Sequence, residues 1–116
     1  MTSQIAFELP HATVFAEETF VVSACNEEAH GWVVRWPNWP AQALIIYGEA
    51  GCGKTHLGHM WAARAGATAK PVSAETLEGN ALLDNIERFE PGALFHLLNV
   101  AKERGFFLLL TAAHAP

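Results

Sequence analysis

The feature that most constrains this chain is a short apolar run, Ala43-Leu44-Ile45-Ile46-Tyr47, followed without a break by Gly48-Glu49-Ala50-Gly51-Cys52-Gly53-Lys54-Thr55. A continuous apolar run of this length suits a parallel strand buried on both faces. The second stretch fits G-x-x-x-x-G-K-[ST] at every fixed position and leads straight into a helical pattern. Strand, glycine loop and helix in that order are what a phosphate-binding loop requires. Gly48, Gly51 and Gly53 let the backbone turn tightly, so that successive N–H groups converge on phosphate oxygens. The N-terminus of the next helix adds its partial positive charge. Lys54 is spaced to reach the β- and γ-phosphates, and the Thr55 hydroxyl to hold Mg²⁺. Cys52, a variable loop position, and His56, the residue after Thr55, complete the stretch assigned to the nucleotide. The pattern leaves open which nucleotide binds and whether hydrolysis follows.

At 116 residues the chain has the size of one domain. Its apolar fraction of 51% and charged fraction of 16% suit a globular protein. No apolar run approaches the ~20 residues of a membrane span, and no basic segment leads into an apolar one at the N-terminus. The expectation is a cytoplasmic protein without membrane contact. Cys25 and Cys52 make neither a disulfide framework nor a metal site. The formal net charge is −5, and no basic stripe is visible of the kind a duplex-binding surface uses. Direct DNA binding is disfavoured, and a protein partner fits better.

Residues 1–20 lack strong periodicity and read as an arm, with the core in residues 21–116. Asn26-Glu27-Glu28 reads as a helix start, with Asn26 as cap and two carboxylates in the first turn. Ala29, Trp32, Val33 and Trp36 then form one apolar face, and Pro37 ends the helix. Trp36 and Trp39 read as packing residues. A helix from about Lys54 carries Leu57, Met60, Trp61 and Ala65 on one face and stops at Gly66. His56 and His59 are read as ordinary helix residues, since no carboxylate or cysteine at matching spacing completes a metal site. Residues 67–80 are small and polar, with room for a short strand near Lys70-Pro71-Val72 and for one helical turn. Ala81-Leu82-Leu83 reads as a buried strand delivering Asp84 to the end where ligands bind in open α/β sheets. A helix from Pro91 to Arg104, with Leu94, Leu97, Leu98 and Ala101 inward, closes at Gly105. Phe106 to Thr111 reads as a further apolar strand.

In this order the motifs resemble the DnaA branch of the AAA+ ATPases, and within it the Hda-like regulators of replication initiation. Phe20-Val21-Val22 and Cys25 to Ala29 look like the segment that leads into the first helix and helps form the adenine pocket. Arg35-Trp36-Pro37-Asn38-Trp39-Pro40 resembles the linker before the first core strand in short Hda-like proteins. Gly48 to Thr55 stands as Walker A and Leu82 to Glu87 as Walker B. Leu94 to Asn99 matches the helix before the fourth strand, and Leu109-Leu110-Thr111-Ala112 falls in the sensor 1 region. The resemblance implies an α/β P-loop fold: a three-layer sandwich around a mostly parallel sheet, incomplete at its C-terminal end. It also implies Mg²⁺ held by Thr55 and Asp84, with ATP or ADP as cofactor.

Three departures shape the functional expectation. Asn85 stands where the family has a second acid to polarise the attacking water, and an amide cannot act as a general base. The run Thr111-Ala112-Ala113-His114 lacks the acid of the family's sensor 1. The chain ends at Pro116, ahead of the family's last core strand, arginine finger and helical lid; if the sequence is complete, it is a stripped or truncated form. Such a form would leave Ala43–Tyr47 at an unpaired sheet edge, which invites self-association. Within the arm, Gln4-Ile5-Ala6-Phe7-Glu8-Leu9 resembles the family's clamp-binding peptide, with Gln4, Phe7 and Leu9 at the fixed positions. The implied partners are DnaA and the DNA polymerase III sliding clamp. The implied function is an adaptor that promotes hydrolysis of DnaA-bound ATP, with doubtful ATPase activity of its own. The alternatives are an active P-loop ATPase or a helicase-loader-like protein.

Overall fold

A computed structural model describes residues 19–24, 27–49, 51 and 53–114. The elements in order are β1 (Thr19–Ser23), α1 (Glu27–Arg35), β2 (Ala43–Tyr47), α2 (Lys54–Ala65), β3 (Ala81–Leu83), a 3₁₀ turn (Ile86–Arg88), α3 (Pro91–Arg104) and β4 (Leu108–Ala112). The arm expected over residues 1–20 lies outside the described residues except for Thr19 and Phe20, which already belong to β1. The expected cap Asn26 also lies outside them, as does Cys25.

The four strands form one parallel sheet in the order β1-β2-β4-β3. Side chains alternate across it, and both faces are covered, as parallel sheets require. On one face Ala43, Ile45, Leu83, Leu108 and Leu110 pack with Leu94, Leu97, Leu98 and Ala101 of α3. On the other, Val22, Leu44, Ile46, Leu82 and Leu109 pack with Ala29 and Val33 of α1 and Leu57, Trp61 and Ala62 of α2. This is the expected three-layer α/β sandwich, and the described sheet is parallel throughout.

Helix ends follow the local chemistry. Glu90 precedes Pro91, and its carboxylate accepts from the Ala93 N–H at 2.8 Å, which caps α3. Gly66 and Gly105 close α2 and α3 in the left-handed conformation, with φ of 65° and 75°. Trp36 and Trp39 are packing residues, as expected. They meet Trp61 and Phe107 in edge-on and stacked contacts with ring centroids 5.6–6.2 Å apart. His56 and His59 are exposed on α2, and no His/Cys/Asp/Glu cluster among the described residues could hold a metal. No helix among them is long and apolar enough to cross a membrane.

Two expectations are corrected. The edge of β2 is not open: β1 pairs with it in parallel from Thr19↔Ala43 to Ser23↔Tyr47. The Thr-Phe-Val-Val-Ser segment is rich in β-branched and aromatic residues, and it supplies the outer neighbour. The expectation of self-association through Ala43–Tyr47 therefore loses its ground. The strand expected near Lys70-Pro71-Val72 is reduced to an isolated bridge from Thr68 to Ala81. The Lys70 N–H turns back to the Thr68 hydroxyl at 3.2 Å, and Pro71 has no N–H to offer a ladder.

Candidate functional site

A parallel sheet points the C-terminal ends of all its strands the same way. The loop after β2, the acid after β3 and the end of β4 therefore share one rim. β2 continues into Gly48, whose N–H donates to the Ala112 carbonyl at 3.1 Å, so the start of the loop is fastened to β4. Gly51 and Gly53 follow with φ of 93° and 84°, in the left-handed region. Chain neighbours aside, no atom of the described residues lies within 4 Å of where a Cβ would stand on either one. Their conformation, not crowding, demands glycine. Ala50 and Cys52 lie outside the described residues.

Gly53 precedes α2 without a side-chain cap, and the Leu57 N–H makes a helical bond to the Gly53 carbonyl at 2.9 Å. The N–H groups of Lys54, Thr55 and His56 thus belong to the open first turn, the end that attracts anions. Lys54 is half-buried, while Thr55 and His56 are exposed. The glycine loop, the uncapped helix end and an adjacent cation form a site whose chemistry suits a phosphate.

Asp84 follows β3 and is exposed at the same rim. β4 stands between β3 and β2, so the carboxylate and the glycine loop are separated by one strand. That strand carries Thr111, a residue the sequence reading placed in the sensor 1 region without a role. Its hydroxyl donates to Asp84 Oδ1 at 2.6 Å and accepts from the Asn85 N–H at 2.6 Å. A buried threonine at the end of an otherwise apolar strand was the available signal. Asn85 has φ 63°, the one positive φ outside glycine among the described residues. Asparagine tolerates that conformation better than most side chains. Glu87, one 3₁₀ turn further on, accepts from the Ala113 N–H at 2.7 Å and the His114 N–H at 3.4 Å, tying the segment after β4 to the segment after β3. A cleft of about 310 Å³ on the outer side of β3, lined by residues including Lys70, Leu83, Asp84, Arg88 and Phe89, reaches the same carboxylate.

The structure thus brings Gly48, Gly51, Gly53, Lys54, Thr55, His56, Asp84 and Asn85 to one rim. Gln4, Phe7 and Leu9 of the clamp-like peptide lie outside the described residues.

A glycine loop between a buried parallel strand and a helix N-terminus, with an acid two strands away, defines a P-loop domain of the α/β class. The sequence matches the family described as the bacterial DnaA ATPase domain over residues 12–89. The chain belongs to that family and is a DnaA-related replication protein. No solved structure matches it. Nucleotide and Mg²⁺ binding are general to such ATPase domains, and the residues present fit both groups. The left-handed glycines and the open helix turn suit phosphate oxygens, and the hard oxygen donors Thr55 and Asp84 suit Mg²⁺.

Proposed function

We propose that the chain is an Hda-like adaptor of replication initiation. It holds ATP or ADP with Mg²⁺ and contacts DnaA and the sliding clamp, so that hydrolysis of DnaA-bound ATP is promoted. The stretch Gly48, Gly51, Cys52, Gly53, Lys54, Thr55 and His56 cradles the phosphates. Backbone N–H groups and the helix end supply the dipoles, and Lys54 supplies the charge. Thr55 and Asp84 hold the cation, which when bound neutralises charge on the phosphate oxygens.

The observation that carries the adaptor reading over an enzyme reading is Asn85. An intact phosphate loop is paired with an amide where a water-polarising acid would stand, so the nucleotide serves as a structural ligand. Gln4, Phe7 and Leu9 supply the clamp contact, a short peptide with two apolar anchors and an amide at its rim. Its affinity is modest, because an extended peptide loses entropy on docking.

The test is a reconstitution with purified DnaA loaded with labelled ATP and with the clamp on DNA. Added chain should speed conversion of the bound ATP to ADP, and Lys54→Ala and Gln4→Ala should each abolish the effect. No acceleration by the wild type would remove the adaptor role. Steady ATP turnover by the chain alone would favour the ATPase reading instead.

A further inference from the structure

The rim of the sheet holds a polar group outside the roles assigned above. Thr111 is fully buried among leucines and alanines of the core. A hydroxyl offers one proton and two lone pairs, and its neighbours here dictate how they are used. The Asn85 N–H can only donate, so at 2.6 Å it takes a lone pair of Thr111 Oγ1. The proton is then directed at Asp84 Oδ1, also at 2.6 Å. The hydroxyl is buried, while the carboxylate it holds is exposed at the rim. Asp84 Oδ2 has no partner among the described residues and is the oxygen left for a cation.

Register explains how one side chain reaches both groups. Leu83 lies opposite Leu110, so Thr111 stands one step beyond, level with Asp84. On its other side Thr111 lies opposite Ile46, two residues before the glycine loop begins. β4 is hydrogen-bonded on both sides, so it cannot slide without breaking two ladders. The hydroxyl is therefore fixed relative to both the phosphate loop and the acid.

We propose that Thr111 is a positioning residue for the divalent cation. Its hydroxyl holds the Asp84 carboxylate and the Asn85 peptide as one unit, and the Mg²⁺ dependence of nucleotide binding runs through it. This rests on the nucleotide-binding reading above. Partners that orient a metal ligand from behind change metal affinity by about 10- to 100-fold when removed.

The experiment measures affinity for a fluorescent ADP analogue on the full chain, once in EDTA and once in Mg²⁺. Wild type, Thr111→Val and Thr111→Ser are compared, with circular dichroism confirming the fold of each. The tightening that Mg²⁺ gives the wild type should fall by about tenfold or more in Thr111→Val, while affinity in EDTA is unchanged. Thr111→Ser keeps the hydroxyl and should keep the tightening. If Thr111→Val does not fold, Thr111→Ala carries the same comparison with less crowding. Equal Mg²⁺ tightening in all variants overturns the proposal, as does a serine variant that behaves like the valine one. A wild type that binds nucleotide equally with and without Mg²⁺ overturns it and leaves nucleotide binding standing. A wild type that binds no nucleotide under either condition overturns both.

Discussion

Gly58 lies in the middle of α2, where an exposed glycine would be a plain liability, yet here it faces the sheet and is buried. A Cβ built at this position would stand 2.8 Å from Leu82 Cδ1, 3.4 Å from Cδ2 and 3.7 Å from Cγ. Gly58→Ala therefore sets two effects against each other. Alanine gains about 1 kcal/mol in a helix interior over glycine. Overpacking a filled core costs about 1–3 kcal/mol. Leu82 has little room to yield, since Leu44, Trp61 and Leu109 in the same cluster are fully buried. The clash should win, with a net loss of about 1 kcal/mol. The assay is urea unfolding, read as a lower midpoint at unchanged slope. Leu82→Val removes both Cδ atoms, so Gly58→Ala/Leu82→Val should be more stable than the sum of the single changes implies, with a coupling of about 1 kcal/mol. A Gly58→Ala variant more stable than wild type by the full propensity gain would refute the claim that α2 is held this close to β3. So would strict additivity in the double variant.

Gly53→Ala places a side chain at φ 84°, which costs about 1–2 kcal/mol, and it should weaken binding of a fluorescent ADP analogue; unchanged affinity would contradict the site. ATP turnover by the purified chain should fall below ~1 s⁻¹, the low end of ordinary enzyme rates, because Asn85 cannot take a proton from water; a phosphate-release assay measures this. Glu90→Ala removes the carboxylate that caps α3 and should cost about 1 kcal/mol, seen as a lower urea midpoint. In a pull-down, Phe7→Ala/Leu9→Ala should lose the sliding clamp that the wild type retains.

The site was most legible where a backbone requirement dictates residue type. Gly51 and Gly53 need left-handed conformations, so the phosphate loop is written in the sequence, and the apolar run before it marks the strand. The helix from Pro91 to Arg104 was equally clear, because a first-turn proline, a 3.6-residue period and a glycine stop agree. β1 was harder to see. Its five residues follow a stretch without periodicity, and their role depends on a partner 24 positions away in register. The strand expected near Lys70 failed for the opposite reason: composition allowed it, but the Thr68 hydroxyl captured the Lys70 N–H. Thr111 was placed in the right region but given no role. Its importance arises from pairing between residues far apart in sequence, which no local pattern encodes.

The position of β4 governs how the site can come into being. β2 and β3 share no ladder; β4 lies between them, and Leu110 pairs with Ile45 on one side and Leu83 on the other. During synthesis the phosphate loop and Asp84 are made first, on elements with no shared ladder. They acquire a fixed separation only when residues 108–112 insert between them. Closing the loop from Ile45 to Leu110 is costly in chain entropy, and such non-local pairing slows folding. A nascent chain stalled before Leu108 would display a complete phosphate-loop motif and an acid, yet hold no assembled nucleotide site.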